Sequence, residues 1–217
     1  MLGPITFRQL IDPTPEELEA TAQVAVAAFH GDEFTKCCLG GNWDLSPAEQ
    51  RALINAQQIG GENWVACDGD KIVAFAGWYG PGRTLFDSPE QEAAGWNEFV
   101  EQMPARLHAW WMDEFLPQYD ATVDEALGQG IKQSIWHLQL LATHPDYQRR
   151  GIGEALVKHK ERLIAQAGDC SLMCLESEDF KNCELYKKWG WDVKGNRHFE
   201  TLWGEFDLRA QAKIPAA

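Results

Sequence analysis

Hydrophobic and polar positions change period several times along this chain, and each change marks an element. Residues 5–11 (ITFRQLI) alternate as a half-buried strand does. Residues 14–31 then read as a helix, with Thr14 as N-cap, Pro15 in the first position, Glu17 three residues after the cap and Gly31 near the stop. Ser46, Pro47 and Glu49 repeat that start chemistry, and the paired Gly60 and Gly61 end a second helix. WVACD (64–68) and the run from Lys71 to Gly80 flank the Gly69-Asp70 turn and predict an antiparallel hairpin. Beyond Ser88, residues Trp96, Phe99, Val100, Met103, Leu107, Trp110, Trp111 and Phe115 recur at helical spacing, and Pro104 either kinks that helix or starts another. This predicts a helical insertion over residues 85–130. SIWHLQLLAT (134–143) suits a central strand ended by Pro145. A helix over 153–168, a strand over 170–177, a helix over 182–190 and a closing hairpin from WDVKG and FETLWGEFDL follow, with a tail from Arg209 that is expected to fray. The order predicts a mixed α+β sheet in a single domain, residues 1–217.

The length of 217 residues suits one substantial core, and 45% hydrophobic with 24% charged residues is the usage of a soluble globular protein; ten tryptophans are the oddity. Arg8 and Asp12 interrupt the N-terminal stretch, and no apolar run approaches the roughly 20 residues that span a bilayer. A cytoplasmic protein without a membrane partner is expected. Six cysteines include the vicinal Cys37 and Cys38, with Cys170 and Cys174 in an apolar run, and no C-x-x-C or Cys/His zinc spacing occurs. Free buried thiols and no metal follow. A net charge of -14 excludes a general nucleic-acid binder, which needs a basic stripe, and favours a cationic partner. From Asp87 to Glu125 there are ten acids against one base, Arg106.

The stretch THPDYQRRGIGEAL (143–156) places Gly151 and Gly153 between a predicted buried strand and an amphipathic helix. Backbone N–H groups there are the unsatisfied donors of a helix N-terminus, where the macrodipole favours an anion, and Arg149 and Arg150 add charge. No Gly-Lys-Ser/Thr follows, so this is not a Walker loop. Gln148, Arg149, Arg150, Gly151, Ile152 and Gly153 resemble the acyl-CoA signature of the GCN5-related N-acetyltransferase (GNAT) superfamily, Gln/Arg-x-x-Gly-x-Gly/Ala. LQLLATHPDY is similar to that family's fourth strand and following turn. Asn182, Tyr186, Gly190 and Trp191 are similar to its Asn-x-x-x-Tyr-x-x-x-Gly-Phe/Tyr stretch, with Trp191 in place of Phe. The resemblance is good over 60–80 and 134–207 and weakest in the insertion.

The resemblance implies a mostly antiparallel central sheet flanked by helices and splayed between strands 4 and 5, with acetyl-CoA in the split. It implies that Leu141, Ala142 and Thr143 meet the pantetheine arm, that Gln148 to Gly153 with Glu154 hold the pyrophosphate, that Asn182 contacts the cofactor or caps its helix, and that Tyr186 protonates the leaving thiolate. Related enzymes often carry an acid where this chain has Gln139, so Glu176 and His137 are the candidate general bases, with a water chain to a carboxylate of the insertion equally open. The expected activity is acetyl transfer from acetyl-CoA to the amine of a small cationic molecule, by a monomer or homodimer. The alternatives are a protein or peptide N-acetyltransferase and a non-catalytic acyl-CoA-binding regulatory module. The insertion is expected to cover the acceptor site as a lid, with Asp113, Glu114 and Asp120 meeting the cation and Trp96, Trp110 and Trp111 supplying aromatic faces or core.

Overall fold

The computed structural model describes residues 4–169 and 172–214. Strand β1 (Ile5–Gln9) leads into α1 (Pro15–Phe29), which carries the predicted capping box: the Glu17 N–H donates to Thr14 Oγ1 at 3.3 Å and the Thr14 N–H donates to Glu17 Oε2 at 2.9 Å. A short α2 (Glu33–Cys38), capped by Asp32, has too few turns to show a period in the sequence. Helix α3 (Ser46–Gly60) begins at Ser46 but is not capped by it, because a 3-10 turn over Trp43–Leu45 runs directly into the helix. Strands β2 (Glu62–Asp68) and β3 (Lys71–Tyr79) form the predicted hairpin.

The insertion is two helical arms. The first runs through α4 (Pro89–Gln91), a π-helical stretch (Glu92–Trp96) and α5 (Asn97–Gln102), with Gly95 at φ 137° marking a kink. Met103 and Pro104 break it, so proline starts a second arm: α6 (Ala105–Ala109), a π-helical stretch (Trp110–Phe115) and α7 (Leu116–Leu127). Then come β4 (Trp136–Thr143), α8 (Ile152–Gln166), β5 (Met173–Ser177), α9 (Phe180–Lys188), β6 (Asp192–Glu200) and β7 (Glu205–Lys213). The predicted frayed tail is wrong from Arg209 to Lys213: β7 pairs antiparallel with both β5 and β6, and Ala210, Gln211 and Ala212 are buried. Small side chains there fit the middle of a sheet, a tertiary preference that their polar neighbours conceal.

The seven strands make one sheet in the order β1-β2-β3-β4-β5-β7-β6, antiparallel except for β4 beside β5. Helix α8 covers one face through Ile152, Leu156, Val157 and Ile164, and α1 with α3 covers the other. The insertion shares a third cluster with α2, α3 and the β6–β7 hairpin, in which Phe115 meets Phe34, Trp110, Phe199 and Phe206. The described cysteines Cys37, Cys38, Cys67, Cys174 and Cys183 are free and buried, as expected; Cys170 lies outside the described residues.

Leu107 is buried in that third cluster and lies against the turn at Gly40. Leu107→Ala is expected to lower stability by about 2–5 kcal/mol, the usual cost of such a cavity, in a single urea transition. A change below about 0.5 kcal/mol would show that the insertion packs independently of the sheet.

Candidate active site

Strands β4 and β5 pair only at Trp136–Met173, His137–Cys174 and Leu138–Leu175. Beyond Leu138 and Leu175 they part, which leaves one edge of β4 from Gln139 to Thr143 without a strand partner on the β5 side. On its other side β4 is bulged: Leu138 pairs with Trp78 and Leu140 with Gly77, so Gln139 is the extra residue. The bulge separates two residues that strict alternation would put on one face. Gln139 lines a cavity in the split, whereas His137 is buried and does not line it.

At the end of β4 the chain turns through Pro145–Tyr147, and Gln148 Nε2 donates to the Thr143 carbonyl at 3.1 Å. Arg149 (φ 58°) and Gly151 (φ 76°) are left-handed, a conformation glycine adopts freely. Gly151 caps α8 with no side-chain acceptor, unlike Thr14, Asp32 and Asp179 at their helices, so the first-turn N–H groups of α8 have no capping side chain. At Gly153 an added Cβ would lie 3.4 Å from Thr143 Oγ1 and 3.9 Å from Leu141 Cδ2, ordinary contacts, so the protein itself leaves room there. Arg150 is folded back, donating to the Asp146 carbonyl with its guanidinium 5.2 Å from the Tyr147 ring centre; Arg149 is exposed. Ala142 is core, so only its backbone is available. Ile152 anchors α8 in the core, and Glu154 is engaged by Lys158 at 2.6 Å.

The cavity has a volume of about 840 Å³ and runs from Leu141, Asn182 and Tyr186 to the insertion. Eight acidic residues line it: Asp32, Glu49, Glu92, Asp120, Asp124, Glu176, Glu178 and Asp179. Lys132 is the one Lys or Arg among the lining residues. Phe86, Trp96, Trp111 and Phe115 add aromatic wall. The insertion therefore bounds one end of the cavity, but Asp113 and Glu114, expected to meet the cation, are exposed and do not line it. Asp120 does. Trp110 is core, Trp96 is both core and wall, and Trp111 donates through Nε1 to the Cys38 carbonyl at 2.9 Å.

Glu176 Oε2 accepts from Tyr119 Oη at 2.7 Å, lies 2.7 Å from His137 Nε2 and pairs with Lys132 Nζ at 3.3 Å; Lys132 also donates to Tyr119 Oη. Burial opposes the Glu176 charge, but Lys132, His137 and Tyr119 outweigh it and hold the carboxyl well below its usual range. Burial and then Lys132 lower the His137 pKa against the pull of Glu176. Asn182 lies inside α9, its N–H bonded to Asp179 Oδ1 at 3.1 Å, so Asp179 is the cap and Asn182 is free to face the cavity. Burial, then the Glu178 charge, raises the Tyr186 phenol, which keeps its proton. Lys132, Tyr119, Glu49 and Glu178 were not legible as site residues. Glu178 left one signal, an acid just past the carboxyl end of an apolar strand beside the phosphate-type turn.

Burial, chiefly, pushes Glu49 and Glu178 up to about 8. A raised acid binds more protons folded than unfolded, so these two make stability fall as pH rises from about 4.5 to about 8. The melting temperature is expected to be higher at pH 6 than at pH 8.5, and Glu49→Gln to flatten that difference. An unchanged pH dependence in the variant would place the Glu49 proton elsewhere.

A GNAT acetyltransferase domain model matches residues 115–193. No curated protein matches the sequence significantly. Among solved structures, arylalkylamine N-acetyltransferase 2 from Aedes aegypti superposes with a TM-score of 0.65 at 11% identity, over 99% of this chain and 100% of its own. A Corynebacterium glutamicum structure described as histone acetyltransferase HPA2 and related acetyltransferase gives 0.59 at 21% identity, over 100% and 98%. NAA60 of Arabidopsis thaliana in complex with acetyl-CoA gives 0.53 at 16% identity, over 97% and 99%. At these identities the superpositions speak for the fold, and no helix among the described residues is long and apolar enough to cross a membrane. Splayed strands, uncapped glycine turn and domain match agree: the chain resembles the GNAT acetyltransferases, in sequence over residues 115–193 and in fold over its length.

Proposed function

We propose that this protein is an acetyl-CoA-dependent N-acetyltransferase acting on a small cationic amine with an apolar or aromatic body. One observation carries the reading: a single cavity joins the parted edge of β4 to an acidic, aromatic chamber walled by the insertion. Acetyl-CoA supplies the acetyl group as an activated thioester. The unpaired edge of β4 at Leu141, Ala142 and Thr143 offers backbone partners to the pantetheine arm. The turn Gln148–Gly153, with the first turn of α8 through Glu154, offers N–H donors to the pyrophosphate, and the bare Gly153 leaves space for it. Asn182 and Tyr186 face the cavity from α9, where the protonated phenol serves the departing thiolate. Eight lining acids against Lys132 favour an ammonium group, and the aromatic wall favours both the cation and an apolar body.

The arylalkylamine enzyme among the fold neighbours supports an amine with a ring, and the acetyl-CoA complex of NAA60 supports the donor. Protein acetyltransferases share the fold as well. A peptide acceptor needs an open groove, however, and both helical arms of the insertion close on the acceptor end here. Thiol release from acetyl-CoA against arylalkylamines, diamines, amino acids and short peptides tests the reading. Cationic amines should turn over best, and Glu92→Gln with Asp120→Asn at the rim should raise KM several-fold and weaken its salt dependence while sparing acetyl-CoA affinity. Preference for peptides or neutral amines would overturn it, and acetyl-CoA binding without turnover would favour a binding module.

Gly153→Val separates ligand geometry from folding. Since the protein leaves room at that Cβ, the variant should keep its circular dichroism spectrum and lose acetyl-CoA affinity by about tenfold or more, roughly 1.4 kcal/mol. Unchanged affinity by calorimetry would remove the phosphate role of the turn.

A further inference from the structure

Hydrogen bonds divide the cavity's carboxylates into committed and uncommitted groups. Asp32 Oδ1 accepts from the Thr35 N–H at 2.7 Å and its hydroxyl at 2.9 Å, Glu49 Oε2 from Gln50 Nε2 at 2.9 Å, Asp124 Oδ1 from the Gly130 N–H at 3.1 Å, and Asp179 Oδ1 from the Lys181 and Asn182 N–H groups at 2.6 and 3.1 Å. Glu176 is held by Tyr119, His137 and Lys132. Glu92 and Asp120 stand exposed on the insertion. Glu178 differs from all of these among the described residues: it lies half-buried inside the cavity, and no other side chain donates to its carboxyl. Its backbone is pinned, since β5 ends at Ser177, Asp179 caps α9, and the Glu178 carbonyl accepts from Arg209 Nη1 at 3.1 Å. Tyr186 faces the same cavity from the helix that Glu178 introduces.

We propose that Glu178 is the general base that deprotonates the acceptor ammonium, while the Glu176, His137, Lys132 and Tyr119 group is a hydrogen-bonded, mutually paired cluster that takes no proton from the acceptor. The proposal rests on the acetyl-transfer reading above. Glu176 cannot serve well in its place, because a carboxylate stabilised by three donors is a weak proton acceptor. The groups acting on Glu178 are Asp32 from the start of α2, Glu176 from β5 and Lys132 from the segment before β4; Cys38, Tyr119 and Tyr186 feel its charge in turn. Burial first, then Asp32 and Glu176, push it up to about 8, against its own backbone hydrogen bond and Lys132. A base with that affinity is matched to neutral operation.

The protons balance. The acceptor ammonium gives one proton to the Glu178 carboxylate, the freed nitrogen pair forms the C–N bond at the acetyl carbon, and the C–S bond breaks with its electrons on sulfur. Tyr186 protonates that thiolate and regains a proton from the second N–H of the new amide nitrogen. Glu178 then releases its proton to solvent, so ammonium and thioester yield amide, free thiol and one proton.

The test is the pH profile of kcat/KM with acetyl-CoA saturating and the best cationic amine varied. Wild-type activity should rise with pH through a midpoint near 8. Glu178→Gln should lower kcat/KM by about 100-fold or more at pH 7.5, remove that limb and leave acetyl-CoA affinity unchanged. Asp32→Asn, which still caps α2, should move the midpoint to lower pH, because a charge that raises Glu178 is gone. Activity of Glu178→Gln within threefold of wild type with the limb in place, or a midpoint unmoved by Asp32→Asn, overturns the assignment alone. Should Glu178→Gln fail to fold, the Asp32→Asn shift decides. A wild-type protein that binds acetyl-CoA and acetylates no amine overturns the acetyl-transfer reading itself.

Discussion

The parting of two parallel strands governs this molecule. Parallel β4 and β5 share three residue pairs and then separate, and a strand edge that stops pairing inside a protein has to satisfy its backbone groups in some other way. Where the two strands part, the defect in the sheet becomes a groove. The free edge of β4 at Gln139, Leu140 and Leu141 lines the cavity that the parting opens, and the glycine turn and the uncapped start of α8 follow where that edge ends.

Charge in that cavity is the second constraint. A carboxylate removed from water costs several kcal/mol unless it is paired. Glu176 obtains a lysine, a histidine and a phenol and stays ionised, whereas Glu49 and Glu178 obtain too little and hold their protons into the neutral range. Lys132 and Tyr119 reach Glu176 only because α7 and the segment after it lie against the sheet, and the aromatic cluster around Phe115 holds the insertion there. The insertion's packing and the cavity's electrostatics are thus one structure: loosening the aromatic cluster would also loosen the partners of a buried charge.

Local chemistry made much of this legible. Thr14, Pro15 and Glu17 specify their helix start within a few residues, the Gly69-Asp70 turn specifies its hairpin, and the apolar spacing from Trp96 to Phe115 specifies helix. The Gln148–Gly153 turn pointed to phosphate because strand, glycine and helix are adjacent in the chain as well as in space. Where the reading failed, the deciding partner was distant. Residues from Arg209 look like a polar tail until β5 and β6 close on both sides of them. His137 and Gln139 share a face by alternation, and a bulge against β3 sends one into the core and the other to the cavity.

By itself the sequence determined the elements, the mixed sheet and the glycine turn ahead of α8, since helix caps, side-chain period and turn residues act over a few neighbouring positions. Only the tertiary structure decided which acids share the cavity, which of them are paired and which are left with a proton. Asp32, Glu49, Lys132 and Glu178 come from four separate segments, and the ionisation of Glu49 and Glu178 is set by burial and by charges brought close through the fold. Asp113 and Glu114 show the converse, two acids in the right insertion that helical geometry turns to solvent, because a face is chosen by what the helix packs against.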